Sequence, residues 1–118
     1  MAKILVIDDD HDIVQLIRYC LKVHGHEVIT ATDGVEGFVK AKEDHPDLLI
    51  LDVIMPNLNG YELIREFKNT EELKKTPVII LTGRPQLQNR FKEEGFDHYF
   101  TKPFEIEEIL EKVSLLVG

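Results

Sequence analysis

Residues Leu48 to Leu51 form an uninterrupted run of four aliphatic side chains that ends at Asp52. A strand with apolar side chains on both faces is typical of a parallel sheet covered by helices on both sides. Similar runs at residues 3–7 and 78–81 also end at polar residues. A carboxylate at the end of a buried strand is unfavourable unless it is solvated, paired or bound to a metal. The pattern predicts a helix-covered parallel sheet and makes Asp52 the first candidate for chemistry.

Segments with helical periodicity separate the strands. Two further short strands are predicted at residues 26–31 and about 97–100. We expect five helices, which begin near these residues: Asp10, Thr32 or Asp33, Gly60, Pro85 and Glu105. Five strands that alternate with five helices predict a doubly wound α/β domain with right-handed crossovers.

Apolar residues recur at helical spacing in the first two helices and indicate the faces that become buried. In the first helix, the predicted inward residues are Ile13, Leu16, Ile17, Cys20 and Leu21. In the second helix, they are Val35, Phe38 and Val39. Gly37 is expected to weaken the second helix by about 1 kcal/mol relative to alanine.

The composition restricts the class of protein. With 22 acidic and 14 basic residues in 118, the chain has a net charge of -8, which argues against direct binding to nucleic acid or to anionic membranes. No apolar run is long enough to span a bilayer, and no signal peptide is recognisable. A single cysteine, Cys20, excludes an intrachain disulfide and suggests a reducing compartment. We therefore expect one cytoplasmic domain over residues 1–118, with no output domain in this chain.

Four predicted strands are followed by, or end in, residues that can do chemistry. Asp8 and Asp9 follow the first strand, Asp52 ends the third, Thr82 the fourth, and Lys102 follows the fifth. In doubly wound sheets, ligands bind outside the carboxyl ends of the strands. We therefore expect these five side chains to share one edge of the sheet.

The acidic residues at this edge require a compensating cation. If the first and third strands are neighbours, about 4.8 Å apart, their terminal carboxylates repel one another. At about 4 Å the repulsion is about 4 kcal/mol with an effective dielectric constant of about 20. Carboxylate oxygens with open positions suit Mg²⁺, which retains waters and also binds phosphate. A carboxylate nucleophile, a hard metal, an ammonium group and a hydroxyl group together predict phosphoryl transfer onto Asp52.

The motifs ILVIDDD, LLILDVIMPNLNG, PVIILTGR and YFTKPF occur in this order. Together they resemble the receiver domain of bacterial two-component response regulators, over essentially the whole chain. The resemblance implies a flavodoxin-like fold, with a five-stranded parallel sheet in the order 2-1-3-4-5, as in chemotaxis receivers. It also implies a phosphoacceptor switch in phosphorelay signal transduction, which is not a conventional enzyme but catalyses its own phosphorylation and dephosphorylation.

The resemblance implies a role for each acidic residue of the site. Asp52 would accept the phosphoryl group from a phosphohistidine of a sensor histidine kinase or a histidine phosphotransfer protein. Asp8, Asp9 and Asp52 would hold Mg²⁺ together with the main-chain carbonyl of Ile54, two residues beyond the phosphoacceptor.

The resemblance also implies how the signal leaves the site. Thr82 and Lys102 would contact the phosphoryl oxygens, and Tyr99 would turn inward as Thr82 moves, a shift between two populated states. The expected output surface is the face made by the fourth helix, the fifth strand and the fifth helix, which includes Phe91, Tyr99 and Phe104. A cis peptide between Lys102 and Pro103 is expected from the family as well.

One departure from the family concerns the same surface. The segment between Thr82 and Gly95 is about two residues shorter than expected, so the fourth helix should be cut or reoriented. The downstream partner, either a protein target or an output domain, and the oligomeric state, monomer or phosphorylation-dependent dimer, are left open.

Two other functions are weighed against the switch. A phosphorylation-independent binding module would keep the fold, but its usual mark is an incomplete site. An aspartyl-phosphate hydrolase usually carries a second acid two residues after its nucleophile, and Ile54 occupies that position.

Overall fold

The computed structural model describes residues 2–52, 54–55, 58–82 and 98–117. Within these ranges, one parallel sheet contains five strands: β1 (Lys3–Ile7), β2 (Glu27–Ala31), β3 (Leu48–Asp52), β4 (Val78–Thr82) and β5 (Tyr99–Thr101). The strand order is β2-β1-β3-β4-β5. The predicted fold class is therefore confirmed, including the order 2-1-3-4-5.

Helices connect the strands and cover the sheet. The described ones are α1 (His11–Val23), α2 (Gly34–Asp44), α3 (Gly60–Asn69) and a C-terminal helix (Ile106–Val117). A short antiparallel pair, Ile54–Met55 with Leu58–Asn59, follows β3. The helix predicted between Pro85 and Gly95 lies outside the described residues. Among those described, no helix combines the length and apolar character needed to cross a membrane.

The core has two halves because alternate residues of a strand point to opposite faces of the sheet. On one face, α1 and the C-terminal helix pack against residues that include Ile4, Val6, Leu48, Ile50 and Ile79. On the other face, α2 and α3 pack against residues that include Leu5, Ile7, Leu49, Leu51 and Ile80. All four residues from Leu48 to Leu51 have no solvent exposure, so the predicted burial of β3 on both faces is confirmed.

The buried face of α1 differs from the prediction at one position. Ile17 and Leu21 are buried and Ile13 and Cys20 are half-buried, but Leu16 is 46% exposed. Val14 is buried instead. At about 100° per residue, positions 14 and 16 lie about 200° apart on the helix, so only one of them can face the sheet. The prediction for Leu16 was wrong.

The buried face of α2 consists of small residues. Val35 and Val39, which we predicted to point inward, are 67% and 48% exposed, and only Phe38 of that set packs against the core. A Cβ atom at Gly37 would lie 2.5 Å from Cδ1 of Ile7, so α2 approaches β1 too closely for larger side chains. The small inward residues are Gly34, Gly37 and Ala41.

Candidate functional site

The predicted site residues follow the carboxyl ends of neighbouring strands. Asp8 comes directly after β1, and Asp52 is the last residue of β3. Ile7 pairs in register with Leu51, so the two aspartates leave the sheet at the same level. Thr82, the last residue of β4, is in register with Thr101, and Lys102 follows directly. The topology therefore brings the predicted chain positions to one edge.

Three carboxylates gather at this edge. One oxygen from each of Asp8, Asp9 and Asp52 lies within 4.8 Å of the other two. Asp8 has no solvent exposure and Asp52 only 3%, whereas Asp9 is exposed. The cluster therefore has a buried side and a side open to solvent.

Lys102 joins the two buried carboxylates. Its Nζ atom donates a hydrogen bond of 3.0 Å to Oδ2 of Asp8 and another of 3.0 Å to Oδ2 of Asp52. Hydrogen bonds between charged groups are roughly twice as strong as those between neutral groups. One ammonium group thus compensates both carboxylates.

The surroundings of Lys102 favour its charged form. Burial by itself lowers the pKa of Lys102, but the hydrogen bonds to Asp52 and Asp8 and the charges of these carboxylates outweigh burial. The net effect raises the pKa of Lys102 above its ordinary value. Lys102 therefore remains an ammonium group at neutral pH.

The carboxyl group of Asp8 has the opposite balance. Burial and the nearby charge of Asp52 raise its pKa, although the backbone N–H of Asp10 and the ammonium of Lys102 act against them. The net effect is a pKa above the ordinary value for aspartate. Ionised Asp8 is thus incompletely compensated, and an additional cation would stabilise it.

Asp10 has a second role that the sequence interpretation missed. Its side chain caps α1 as predicted, accepting hydrogen bonds from the backbone N–H groups of Asp12 and Ile13. Its own backbone N–H donates to Oδ1 of Asp8 at 2.9 Å. The spacing of two residues, which is common for aspartate bonded to nearby backbone, was the available signal. Asp10 thereby orients a carboxylate of the cluster.

The backbone places the remaining predicted residues close to the ends of the strands. Ile54 begins the short antiparallel pair after β3, and Thr82 ends β4. The peptide between Lys102 and Pro103 is cis, as expected from the family.

Two aromatic residues of the expected output surface, Tyr99 and Phe104, pack on opposite faces of the sheet. Tyr99 is half-buried against the core below α2 and α3. Phe104 is half-buried against the core below α1 and the C-terminal helix. Phe91 is outside the described part of the chain. Tyr99 thus lies on the edge strand β5 and contacts the half of the core below α2 and α3.

The chemistry of the donors fits a magnesium ion. The cluster offers only carboxylate oxygens, which are preferred ligands of hard cations. Its open side, at Asp9, leaves room for the waters that Mg²⁺ usually retains. The raised pKa of Asp8 indicates that a further positive charge beside the cluster would stabilise its ionised carboxylate.

Comparison with known proteins identifies the family. Residues 4–114 match the response regulator receiver domain. The chain is 33% identical over 120 residues to protein PilH of Pseudomonas aeruginosa. This match covers 100% of the chain and 99% of PilH. It is 36% identical over 119 residues to RpaA of Synechocystis, a DNA-binding dual master transcriptional regulator. That match covers 99% of this chain and 49% of RpaA, so the chain spans about half the length of this relative.

Solved structures agree with this match. Chemotaxis protein CheY4 of Vibrio cholerae superposes with a TM-score of 0.90 at 34% identity, over 99% of both chains. Response regulator protein TrrA of Thermotoga maritima, solved in complex with Mg²⁺-BeF, gives a TM-score of 0.87 at 33% identity, over 99% of this chain and 100% of TrrA. The fold and these matches define the class of the chain as a receiver domain, a signalling module. The chain belongs to the response regulator receiver domain family of two-component systems.

Proposed function

We propose that Asp52 accepts a phosphoryl group from a phosphohistidine of a sensor histidine kinase or a histidine phosphotransfer protein. Four groups would hold Mg²⁺: the carboxylates of Asp8, Asp9 and Asp52 and the main-chain carbonyl of Ile54. The observation that carries this proposal is the position of Lys102, whose Nζ lies 3.0 Å from each of two buried carboxylates. The ammonium group that these two acids share can stabilise a further anionic group, such as a phosphoryl group, when a cation compensates the carboxylates.

In the proposed transfer, a carboxylate oxygen of Asp52 attacks phosphorus. The bond between phosphorus and the histidine nitrogen breaks, and the imidazole keeps the electron pair and takes up a proton. Mg²⁺ held at the three carboxylates would supply positive charge that neutralises the transferring group. Lys102, held as an ammonium by its raised pKa, moves from the carboxylate of Asp52 to a phosphoryl oxygen. The hydroxyl of Thr82 donates to another phosphoryl oxygen.

The signal is proposed to leave through a change in Thr82 and Tyr99. Tyr99 is partly buried against the core, and phosphorylation would shift its side chain between an inner and an outer position. The output surface is the face that the predicted fourth helix would form with β5 and the C-terminal helix. Its partner is a downstream protein or an output domain, and the domain acts in the cytoplasm as a monomer or a phosphorylation-dependent dimer.

Phosphorylation by a small donor tests the proposal. The protein is incubated with acetyl phosphate, with and without Mg²⁺, and the intact mass is measured. We expect one added phosphoryl group only when Mg²⁺ is present, and no addition to Asp52→Asn. Asp47→Asn serves as the matched control because Asp47 is an exposed aspartate just before the opposite end of β3, and it should be phosphorylated like the wild type.

Three results would contradict the proposal that Asp52 is the phosphoacceptor. Absence of the adduct on the wild type would favour a phosphorylation-independent binding module. An equal adduct on Asp52→Asn would exclude Asp52 as the acceptor. Rapid and continuous release of phosphate from many phosphate esters would favour a hydrolase.

A further inference from the structure

The main chain of Asp8 is held by the last hydrogen bond between β1 and β2. The two strands pair in register up to Ile7 and Ala31. Beyond this pair, the backbone N–H of Asp8 donates to the carbonyl oxygen of Ala31 at 3.2 Å. Ala31 is only 1% exposed, so this bond is shielded from water. The direction of the Ala31 carbonyl therefore helps to fix the backbone from which the Asp8 carboxylate projects.

The same peptide unit is held from its other side by Glu36. The carbonyl of Ala31 and the N–H of Thr32 belong to one planar unit and point in opposite directions. The Thr32 N–H donates to Oε1 of Glu36 at 3.0 Å. Because β2 is an edge strand of the described sheet, no other strand within the described ranges lies on that side to orient this unit.

Glu36 is itself fixed at the start of α2. Its backbone N–H donates to Oδ1 of Asp33, the helix cap, at 2.8 Å. Lys40, one turn later, has its Nζ 4.0 Å from the same Oε1 of Glu36 and donates to the carbonyl oxygen of Thr30 at 2.6 Å. The first two turns of α2 thus bind backbone groups on both sides of Ala31.

We propose that Glu36 is a positioning residue for Asp8 and acts through the Ala31–Thr32 peptide. Glu36 does not belong to the carboxylate cluster found among the described residues, so it is not assigned as a metal ligand. Its carboxylate orients the peptide whose carbonyl holds the Asp8 main chain. This inference rests on the proposed function, since Asp8 is there a ligand of Mg²⁺.

Three variants of the full chain test the link. Glu36→Ala removes the acceptor, Glu36→Gln retains an oxygen acceptor without the charge, and Glu43→Ala is the control because Glu43 is an exposed acid on the same helix. The readouts are the backbone amide shifts of Asp8 and Thr32 in metal-free protein and the affinity for Mg²⁺ alone, both by NMR. Far-UV circular dichroism checks that each variant is folded.

We expect Glu36→Ala to move both amide signals and to weaken Mg²⁺ binding by about two- to fivefold. This effect is smaller than the roughly 10- to 100-fold losses seen when direct partners of a metal ligand are removed, since Glu36 acts through one intervening peptide. Glu36→Gln should restore most of the affinity, and Glu43→Ala should match the wild type.

Two outcomes would overturn the inference. In the first, Glu36→Ala shows the same Asp8 amide shift and the same Mg²⁺ affinity as the wild type. In the second, Glu36→Gln loses as much Mg²⁺ affinity as Glu36→Ala, because the effect would then come from negative charge near the helix N-terminus. Failure of the wild type to bind Mg²⁺ would instead contradict the proposed function, and the amide shifts would still test the positioning role.

Discussion

At the scale of single residues, the candidate site contains buried carboxylates whose negative charges are offset by one ammonium group. Asp8 and Asp52 are buried, and Lys102 is the cation that bonds both. Burial alone disfavours the charged forms of Asp8 and Lys102. Their mutual contacts make the charged state tolerable, and the exposed Asp9 leaves a side from which a metal or a phosphoryl group can enter.

Replacement of Lys102 tests this balance. Lys102→Met keeps the aliphatic length but removes the ammonium group that bonds both buried carboxylates, so the free energy of unfolding should fall. Breaking a buried pair costs about 3–5 kcal/mol, and with 22% of the Lys102 side chain exposed we expect about 1–3 kcal/mol. Urea unfolding at neutral pH without Mg²⁺ measures it, with Lys112→Met as the control. A loss equal to that of the control would contradict this account of the charges.

His26 predicts a pH dependence at the opposite end of the sheet. Burial, the positive N-terminus and His24 lower the pKa of His26, and its Nδ1 accepts a hydrogen bond of 3.2 Å from the backbone N–H of Ala2. Because the folded pKa lies below the unfolded value of 6.5, the unfolded state binds the proton more readily. Stability is therefore expected to be lost as the pH falls below 6.5.

Urea unfolding between pH 7.5 and 5.5 checks the prediction for His26. The wild type should lose stability over this range, and His26→Gln should lose less. His45→Asn is the matched control, since His45 has a positive φ of 48° that asparagine tolerates. Equal slopes for the wild type and His26→Gln would exclude His26 as the source.

At the scale of elements, packing overrode helical periodicity in α2. The valines of this helix point outward because Gly37 lies against Ile7. The sequence interpretation treated Gly37 only as a weak point in the helix. Nothing in the periodicity of one segment shows how closely another element approaches, so the error has a physical cause.

Gly37→Ala therefore has two opposing effects. Alanine favours the helix by about 1 kcal/mol, but its Cβ would lie 2.5 Å from Cδ1 and 2.8 Å from Cγ1 of the buried Ile7. Overpacking typically costs about 1–3 kcal/mol, so we expect a net loss of about 1 kcal/mol in the free energy of unfolding.

A double-mutant cycle with Ile7→Val separates the two effects. Removing Cδ1 should make Gly37→Ala less harmful than it is in the wild-type background, as measured by thermal or urea unfolding. A Gly37→Ala variant that is more stable than the wild type would show that α2 can move away from β1 without loss.

At the scale of the whole molecule, the sequence predicted the sheet and the convergence of its polar ends well. The reason is that continuous apolar runs such as Leu48 to Leu51 identify buried parallel strands, and parallel strands bring their carboxyl ends to one edge. The sequence did not predict contacts that depend on three-dimensional proximity. Leu73, a single apolar residue in a charged turn, is only 1% exposed. Glu36 follows the cap Asp33 by three residues, the spacing of a capping box, but the hydrogen bond that it accepts from the Thr32 N–H was not predicted.

The central claim is that Asp52 receives the phosphoryl group, and locating the modification tests it directly. After incubation with acetyl phosphate and Mg²⁺, borohydride reduction converts an aspartyl phosphate to homoserine, which peptide mass spectrometry can place in the chain. We predict homoserine at position 52 and at no other aspartate. Homoserine at Asp8 or Asp9, with position 52 unmodified, would contradict the assignment.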